Sequence, residues 1–167
     1  MKKLSFLLSL VIAITFLSAC SSEDGDPSAT YDFKEQIAQG QIEGEAWTFE
    51  AGKALLTEDQ DGNPIYSIKM YSNNETITEV CSFFGAEFDE VFFSLPTEIG
   101  VYKLSFSSSN SRTVTLFDRE NIMNVIASDG AVEIIAISET QITGRADIRS
   151  GNDNFINGNF TLEICGN

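Results

Sequence analysis

The stretch Ile142-Thr143-Gly144-Arg145-Ala146-Asp147-Ile148, followed by Ile156-Asn157-Gly158-Asn159-Phe160-Thr161-Leu162-Glu163-Ile164, decides the fold class. In the first run Ile142, Gly144, Ala146 and Ile148 fall on one face, and Thr143, Arg145 and Asp147 on the other. A period of two is the signature of a half-buried β-strand. The second run repeats it with larger apolar residues. Between them, Ser150-Gly151-Asn152-Asp153-Asn154 is rich in residues that tolerate left-handed backbone, so the two runs read as a hairpin.

Working outward, the same punctuation recurs from Gly40 onward: β-branched and aromatic residues alternate with polar ones, broken by turn residues. An opening strand Ile42–Trp47 shares an Ile-x-Gly pattern with the two runs above, and each glycine is expected to mark a strand bend or a close approach between layers. Asp61-Gly62-Asn63-Pro64 turns the chain before Ile65–Tyr71. Further strand runs are Val80–Phe84, Val91–Leu95, Gly100–Phe106, Thr113–Phe117 and Asn121–Ala127, and Ser128-Asp129-Gly130 reads as a tight turn into Val132–Ile137. Tyr31–Gln39 is compatible with one or two helical turns capped by Thr30. The expectation is all-β: an antiparallel sandwich or barrel of about eight to ten strands. Gly44-Glu45-Ala46-Trp47 resembles the first strand of lipocalins, with the pair one residue farther apart than there, so a lipocalin-like barrel is the alternative.

The N-terminus carries an address. Lys2 and Lys3 precede an apolar run from Leu4 to Phe16, which is too short for a stable membrane span and reads as a secretory signal. It closes with Leu17-Ser18-Ala19-Cys20, which resembles the lipobox of bacterial lipoproteins. That resemblance implies cleavage before Cys20 and acylation of its thiol and amine, with two or more chains giving stable anchorage. The alternative is an ordinary signal peptide cleaved after Ala19. The division expected is therefore a signal peptide at 1–19, an acidic flexible tether at 20–30 and one β domain at 31–167. Ser21-Ser22-Glu23-Asp24 is similar to the acidic export signal of Bacteroidetes lipoproteins sent to the cell surface, and a generic spacer facing the periplasm is the alternative.

Four blocks, 40–54, 113–118, 130–134 and 156–165, also resemble a family of small Bacteroidetes surface lipoproteins. The likeness implies a one-domain secreted β protein of unknown function. It carries over no catalytic residue and no cofactor.

Three cysteines is an odd number. With Cys20 lipidated, Cys81 and Cys165 remain as a pair for a disulfide in an oxidising compartment. The rival reading is two separate buried cysteines.

Composition narrows the function. The formal net charge is −15, and Lys2 and Lys3 leave with the signal, so the domain is strongly acidic and unsuited to nucleic acid. Histidine is absent, which removes the commonest general base and transition-metal ligand. Ser-Lys chemistry around Lys103 and Ser105–Ser111 would need a desolvated lysine, and that stretch reads as a loop. Glu87, Asp89 and Glu90 are the one carboxylate group placed for glycoside hydrolysis. Glu58-Asp59-Gln60-Asp61-Gly62-Asn63 has the oxygens and glycine of a calcium loop, yet aligning Gly62 puts Thr57 and Ile68 where acidic ligands belong. Asn152-Asp153-Asn154 is a second oxygen cluster of the kind hairpin turns use. Phe83, Phe84, Phe88, Phe92, Phe93, Tyr102 and Phe106 crowd one quarter of the chain. Those not spent on the core would suit a glycan, a small ligand or a protein partner. The reading is a binding or structural module held at the outer membrane by acyl chains on Cys20.

Overall fold

The computed structural model describes residues 31–72, 79–83, 90–107 and 111–166. Among them are eleven strands: β1 (Gln39–Ile42), β2 (Glu45–Thr48), β3 (Ala51–Glu58), β4 (Pro64–Tyr71), β5 (Glu90–Pro96), β6 (Gly100–Lys103), β7 (Val114–Asp118), β8 (Met123–Ala127), β9 (Asp129–Ile137), β10 (Gln141–Arg149) and β11 (Phe155–Cys165). They form one sheet in the order β6-β9-β10-β11-β3-β4-β5-β7-β8, with β1 pairing with β11 and β2 with β1. The sheet curls into a half-barrel. The all-β expectation holds, with one strand more than the upper expected number.

The curl follows from connectivity. β8 ends at Ala127 and β9 begins at Asp129, yet β8 is an outer edge and β9 lies second from the opposite edge. In a flat sheet those strands would be about 34 Å apart, at roughly 4.8 Å per neighbour. Ser128 alone spans at most about 7 Å. The two edges must therefore approach each other, and the Ser150 hydroxyl donates to the Ile126 carbonyl across that join (3.2 Å). The tight turn expected at Ser128–Gly130 is thus corrected. β8 pairs with β7, Asp129 and Gly130 already pair with Arg149 and Ile148, and Ser128 carries the chain across the seam.

β11 is the hinge of the topology. One edge pairs with the whole of β10, from Gln141↔Glu163 to Arg149↔Phe155. The other edge is shared: Gln39–Gln41 of β1 run antiparallel to Asn157–Phe155, and Lys53–Leu55 of β3 run parallel to Glu163–Cys165. The parallel pair departs from the antiparallel expectation, and its cause is local. Ile42–Trp47 is not one strand but a hairpin, with Glu43 (φ 51°) and Gly44 (φ 84°) both left-handed. Two successive positive φ values make the two-residue turn that suits a twisted hairpin. β1 opposes β11, β2 reverses β1, and β3 continues in the direction of β2, so β3 must run parallel to β11.

Two more expectations are corrected. Tyr31–Gln39 forms no helix, because the amides of Asp32, Lys34 and Ala38 donate to Asp147, Asn157 and Asn159 on β10 and β11, leaving only a local Gln36-to-Lys34 bond among the described ones. Val80–Ser82 is a 3₁₀ turn rather than part of a strand. Its position is dictated by Cys81, which is drawn to Cys165 at the end of β11.

The concave side is filled by side chains from every major strand. Trp47, Ile68, Met70, Leu95, Leu116, Ile134, Ile142, Ile148, Ile156 and Leu162 are all fully buried there. Each such side chain contributes on the order of 1.5–3 kcal/mol. Gly144 lies at a register shift facing Phe160, whose ring occupies the space a side chain would need. Gly158 (φ 131°) lies 2.6 Å, measured from a built Cβ, from the Gln36 and Ile37 carbonyls. It is the gap through which the N-terminal segment crosses. The expectation of bends and close approaches holds at both positions, whereas Gly44 serves a turn.

Candidate functional site

The convex side carries the chemistry, and three clusters occupy it. The first is a groove beside the end of β5. Alternation sends Val91, Phe93 and Leu95 into the core and leaves Phe92, Ser94 and Pro96 outward. β5 pairs with β7 only as far as Phe93↔Val114. Before Val114 the chain diverges to form a bridge between Ser105 and Arg112. The splay leaves a groove of about 440 Å³ lined chiefly by Phe92, Ser94, Pro96, Arg112, Thr113 and Thr115. The Arg112 guanidinium lies 5.1 Å from the Tyr102 ring, in cation–π range. Tyr102 in turn donates to the Glu98 carbonyl (2.6 Å), and burial raises the pKa of its hydroxyl. The Lys69 ammonium sits 5.8 Å from the Phe92 ring centre and 3.4 Å from Glu90. The groove thus offers the Phe92 ring, four hydroxyls (Ser94, Ser111, Thr113 and Thr115) and a guanidinium, which is the chemistry of recognition.

Asp59 stands at the groove's rim with its carboxylate occupied. It accepts from the amides of Asp61 (2.9 Å) and Asn63 (2.8 Å) and from the Asn63 side chain (3.0 Å). Those bonds, the Asn63 side chain foremost, hold its pKa below the ordinary value. The would-be calcium loop is therefore built as a turn that satisfies itself. Asn154 plays a similar part: its side chain accepts from the Glu43 amide (2.8 Å) and donates to the Glu43 carboxylate (2.8 Å), locking two hairpin tips together.

The second cluster lies over β3, β4 and β5. Cys81 and Cys165 are bonded, with Cα atoms 5.3 Å apart, and this fastens the strap Glu79–Phe83 onto the sheet. Beneath it, Lys53 is 3 % exposed and donates to the Phe83 carbonyl, and the Phe83 ring meets Tyr71 edge-on at 5.2 Å. Desolvation lowers the Lys53 pKa, helped by Lys69 and opposed by Glu90. Burial and the Glu90 charge push Tyr71 up to about 12.

The third cluster clamps the N-terminal segment. Asp147 is buried on the convex face and accepts from the Asp32 amide (3.1 Å). Asn157 accepts from the Lys34 amide (2.9 Å) and donates to the Asp32 carbonyl (2.7 Å). Arg145 pairs with Glu133 and lies 4.6 Å from the Phe33 ring.

The residues singled out from sequence fare unevenly. Cys81 and Cys165 come together. Glu90 is buried and paired with Lys69, which ties up one member of the carboxylate group, while Glu87 and Asp89 lie outside the described residues, as do Cys20, Phe84 and Phe88. Phe93 joins the core, Phe92 and Tyr102 are half-buried at or beside the groove, and Phe106 is 79 % exposed. Arg112, Thr113 and Thr115 escaped notice because a groove made by two diverging strands has no linear pattern. Lys53, between Gly52 and Ala54, carries no sequence signal of burial; its ammonium donates to the Phe83 carbonyl, 30 residues on in sequence.

No family model matches the chain, and no curated protein or solved structure matches it.

Proposed function

We propose that the chain is a lipid-anchored, outward-facing surface domain that binds a sugar chain in the groove between β5 and the 111–115 segment. The observation that carries the reading is polarity. The segment leading from the tether is clamped at Asp147 and Asn157, near the β10–β11 turn. The groove is reached by following β11 from Asn157 to Cys165 and then β3 from Leu55 to Thr57, which pairs with Ile65 at the groove. Ten residues of strand make about 33 Å. A domain tethered by Cys20 therefore holds this groove toward its membrane-distal end.

The groove's groups favour a saccharide. A sugar ring presents an apolar face that stacks on Phe92, and its hydroxyls pair with those of Ser94, Thr113 and Thr115. Arg112, pre-oriented on Tyr102, adds a donor fork.

Affinity electrophoresis of the full chain through gels containing individual polysaccharides tests the reading. At least one neutral or acidic polysaccharide should retard the wild type. Phe92→Ala should weaken that retention at least tenfold with an unchanged melting temperature, while Asn152→Ala at the opposite end leaves it intact. Equal retention of Phe92→Ala and wild type, or no retention by any polysaccharide, overturns the proposal.

A further inference from the structure

Arg112 supplies the positive charge of the groove beside β5. We propose that this groove selects a carboxylated sugar, a uronate or related acid, whose carboxylate is seated in the Arg112 fork while its ring lies on Phe92. The assignment rests on the sugar-binding reading above and names the class of sugar.

Arg112 shares the register of Val114 and Leu116, both fully buried, so strand alternation sets it toward the inner face of the sheet and not outward with Thr113 and Thr115. There the guanidinium lies over the Tyr102 ring, which packs against the core. Both members of that stack are fixed. The Arg112 amide donates to the Ser105 carbonyl (2.9 Å) and the Ser105 amide to the Arg112 carbonyl (2.8 Å), while the Tyr102 hydroxyl is held by the Glu98 carbonyl. What this cation lacks is an anion. Among the described residues the ion pairs belong to Lys69, Arg145 and Arg149, and no carboxylate pairs with Arg112. The chain just before it, Ser107 to Ser111, holds no acidic side chain. Two acidic groups stand nearby. Asp59 at the rim is satisfied within its own turn, and the Glu98 charge bears on the Tyr102 hydroxyl. In a chain of net charge −15, a positioned guanidinium without a carboxylate is a vacancy for one from outside.

A half-buried guanidinium gives up hydration that one ring face returns only in part. Its planar fork of N–H donors matches a carboxylate with two parallel bonds. A sugar acid carries that carboxylate at the edge of its ring, so stacking the ring on Phe92 leaves the acid group free to turn inward. The Ser111 and Thr113 hydroxyls, on either side of Arg112, then answer the ring hydroxyls. A neutral sugar would leave the fork to water. A sulfated chain also offers anions, but each further negative charge adds repulsion from this acidic surface, which favours one carboxylate per ring over a denser polyanion.

Affinity electrophoresis of the full chain tests the assignment at about 0.15 M salt, where a Debye length of about 8 Å screens the overall repulsion. The probes are polygalacturonate, a polyglucuronate and alginate, each before and after its carboxyls are reduced to alcohols. At least one polyuronate should retard the wild type, and carboxyl reduction should weaken that retention at least tenfold. Arg112→Gln, at an unchanged melting temperature, should bind that polyuronate and its reduced form equally, because the fork and the carboxylate act as a pair. Arg112→Lys keeps the charge without the fork and should recover only part of the preference. If Arg112→Gln does not fold, the wild type on the two forms of the polymer decides alone. Equal retention of the wild type by native and carboxyl-reduced chains overturns the carboxylate and leaves the sugar reading standing. Retention by neutral polysaccharides with none by the three polyuronates does the same. Stronger retention by dextran sulfate than by any polyuronate gives the fork to a sulfate and overturns the assignment. Retention by no polysaccharide removes both readings together.

Discussion

Tyr71 and Glu90 are directly paired across the β4–β5 ladder, and the Phe83 ring closes over the tyrosine from above. A phenolate formed there would be desolvated and would face a carboxylate, so the hydroxyl holds its proton up to about 12. The sign of the consequence is fixed by linkage. Below about pH 10 the hydroxyl is protonated whether the chain is folded or not, and its contribution is fully present; it is lost as pH rises through the folded value. A two-unit rise corresponds to at most about 2.7 kcal/mol, and partial solvation trims this to about 2. Lys53 acts in the opposite direction, since a depressed folded pKa makes stability rise with pH just below its ordinary value. Comparison with Tyr71→Phe isolates the tyrosine. Between pH 9 and pH 11.5 the urea midpoint of the wild type should fall more than that of Tyr71→Phe, and parallel falls would refute the assignment.

At the scale of elements, the hairpin that spans 142–164 was legible because both strands bury one face and expose the other, and because the turn between them is built of glycine, serine and asparagine. The β1–β2 hairpin was not. Ile-Glu-Gly-Glu-Ala-Trp alternates well enough to pass for one strand, and only the positive φ at Glu43 and Gly44 reveals the turn. That single misreading hides the parallel β3–β11 pairing. The Ser128 crossing was illegible for a related reason: Ser-Asp-Gly is good turn chemistry, but here pairing with Arg149 and Ile148 outcompetes it. Of the candidate sites, the cysteine pair was readable from the odd count, whereas the groove and the N-terminal clamp arise from contacts between distant segments. The clamp makes its own prediction. Asn157 is 8 % exposed, and its side chain joins the Lys34 amide, the Asp32 carbonyl and Asp147. Asn157→Ala leaves those groups without that partner, at roughly 1–3 kcal/mol. Amide exchange at Asp32 and Lys34 should accelerate well before exchange in β3 or β4 changes. Uniform acceleration across the sheet would mean that Asn157 supports the core rather than the segment.

For the whole molecule, charge sets the behaviour. The formal net charge is −15, and several of the described cations are engaged internally: Lys69 with Glu90, Arg145 with Glu133, Arg149 with Asp129 and Asp147. The surface left over is anionic, so it is repelled by anionic headgroups and stands off from a membrane unless a lipid holds it there. On the proposed lipid-anchored reading, membrane retention rests on Cys20. Acylation requires its thiol, so Cys20→Ser should shift the protein from the membrane fraction to the soluble one, or accumulate as uncleaved precursor, and labelled fatty acid should enter the wild type only. On the same reading, the anchor sets what added protease can reach. If Glu23 and Asp24 direct the protein outward, protease added to intact cells should remove the domain of the wild type and spare that of the Glu23→Ala, Asp24→Ala variant, with both equally degraded after lysis. A wild type protected in intact cells would place the domain on the periplasmic side. Membrane retention of Cys20→Ser with no label in the wild type would show that some surface of the domain itself, against its charge, does the anchoring.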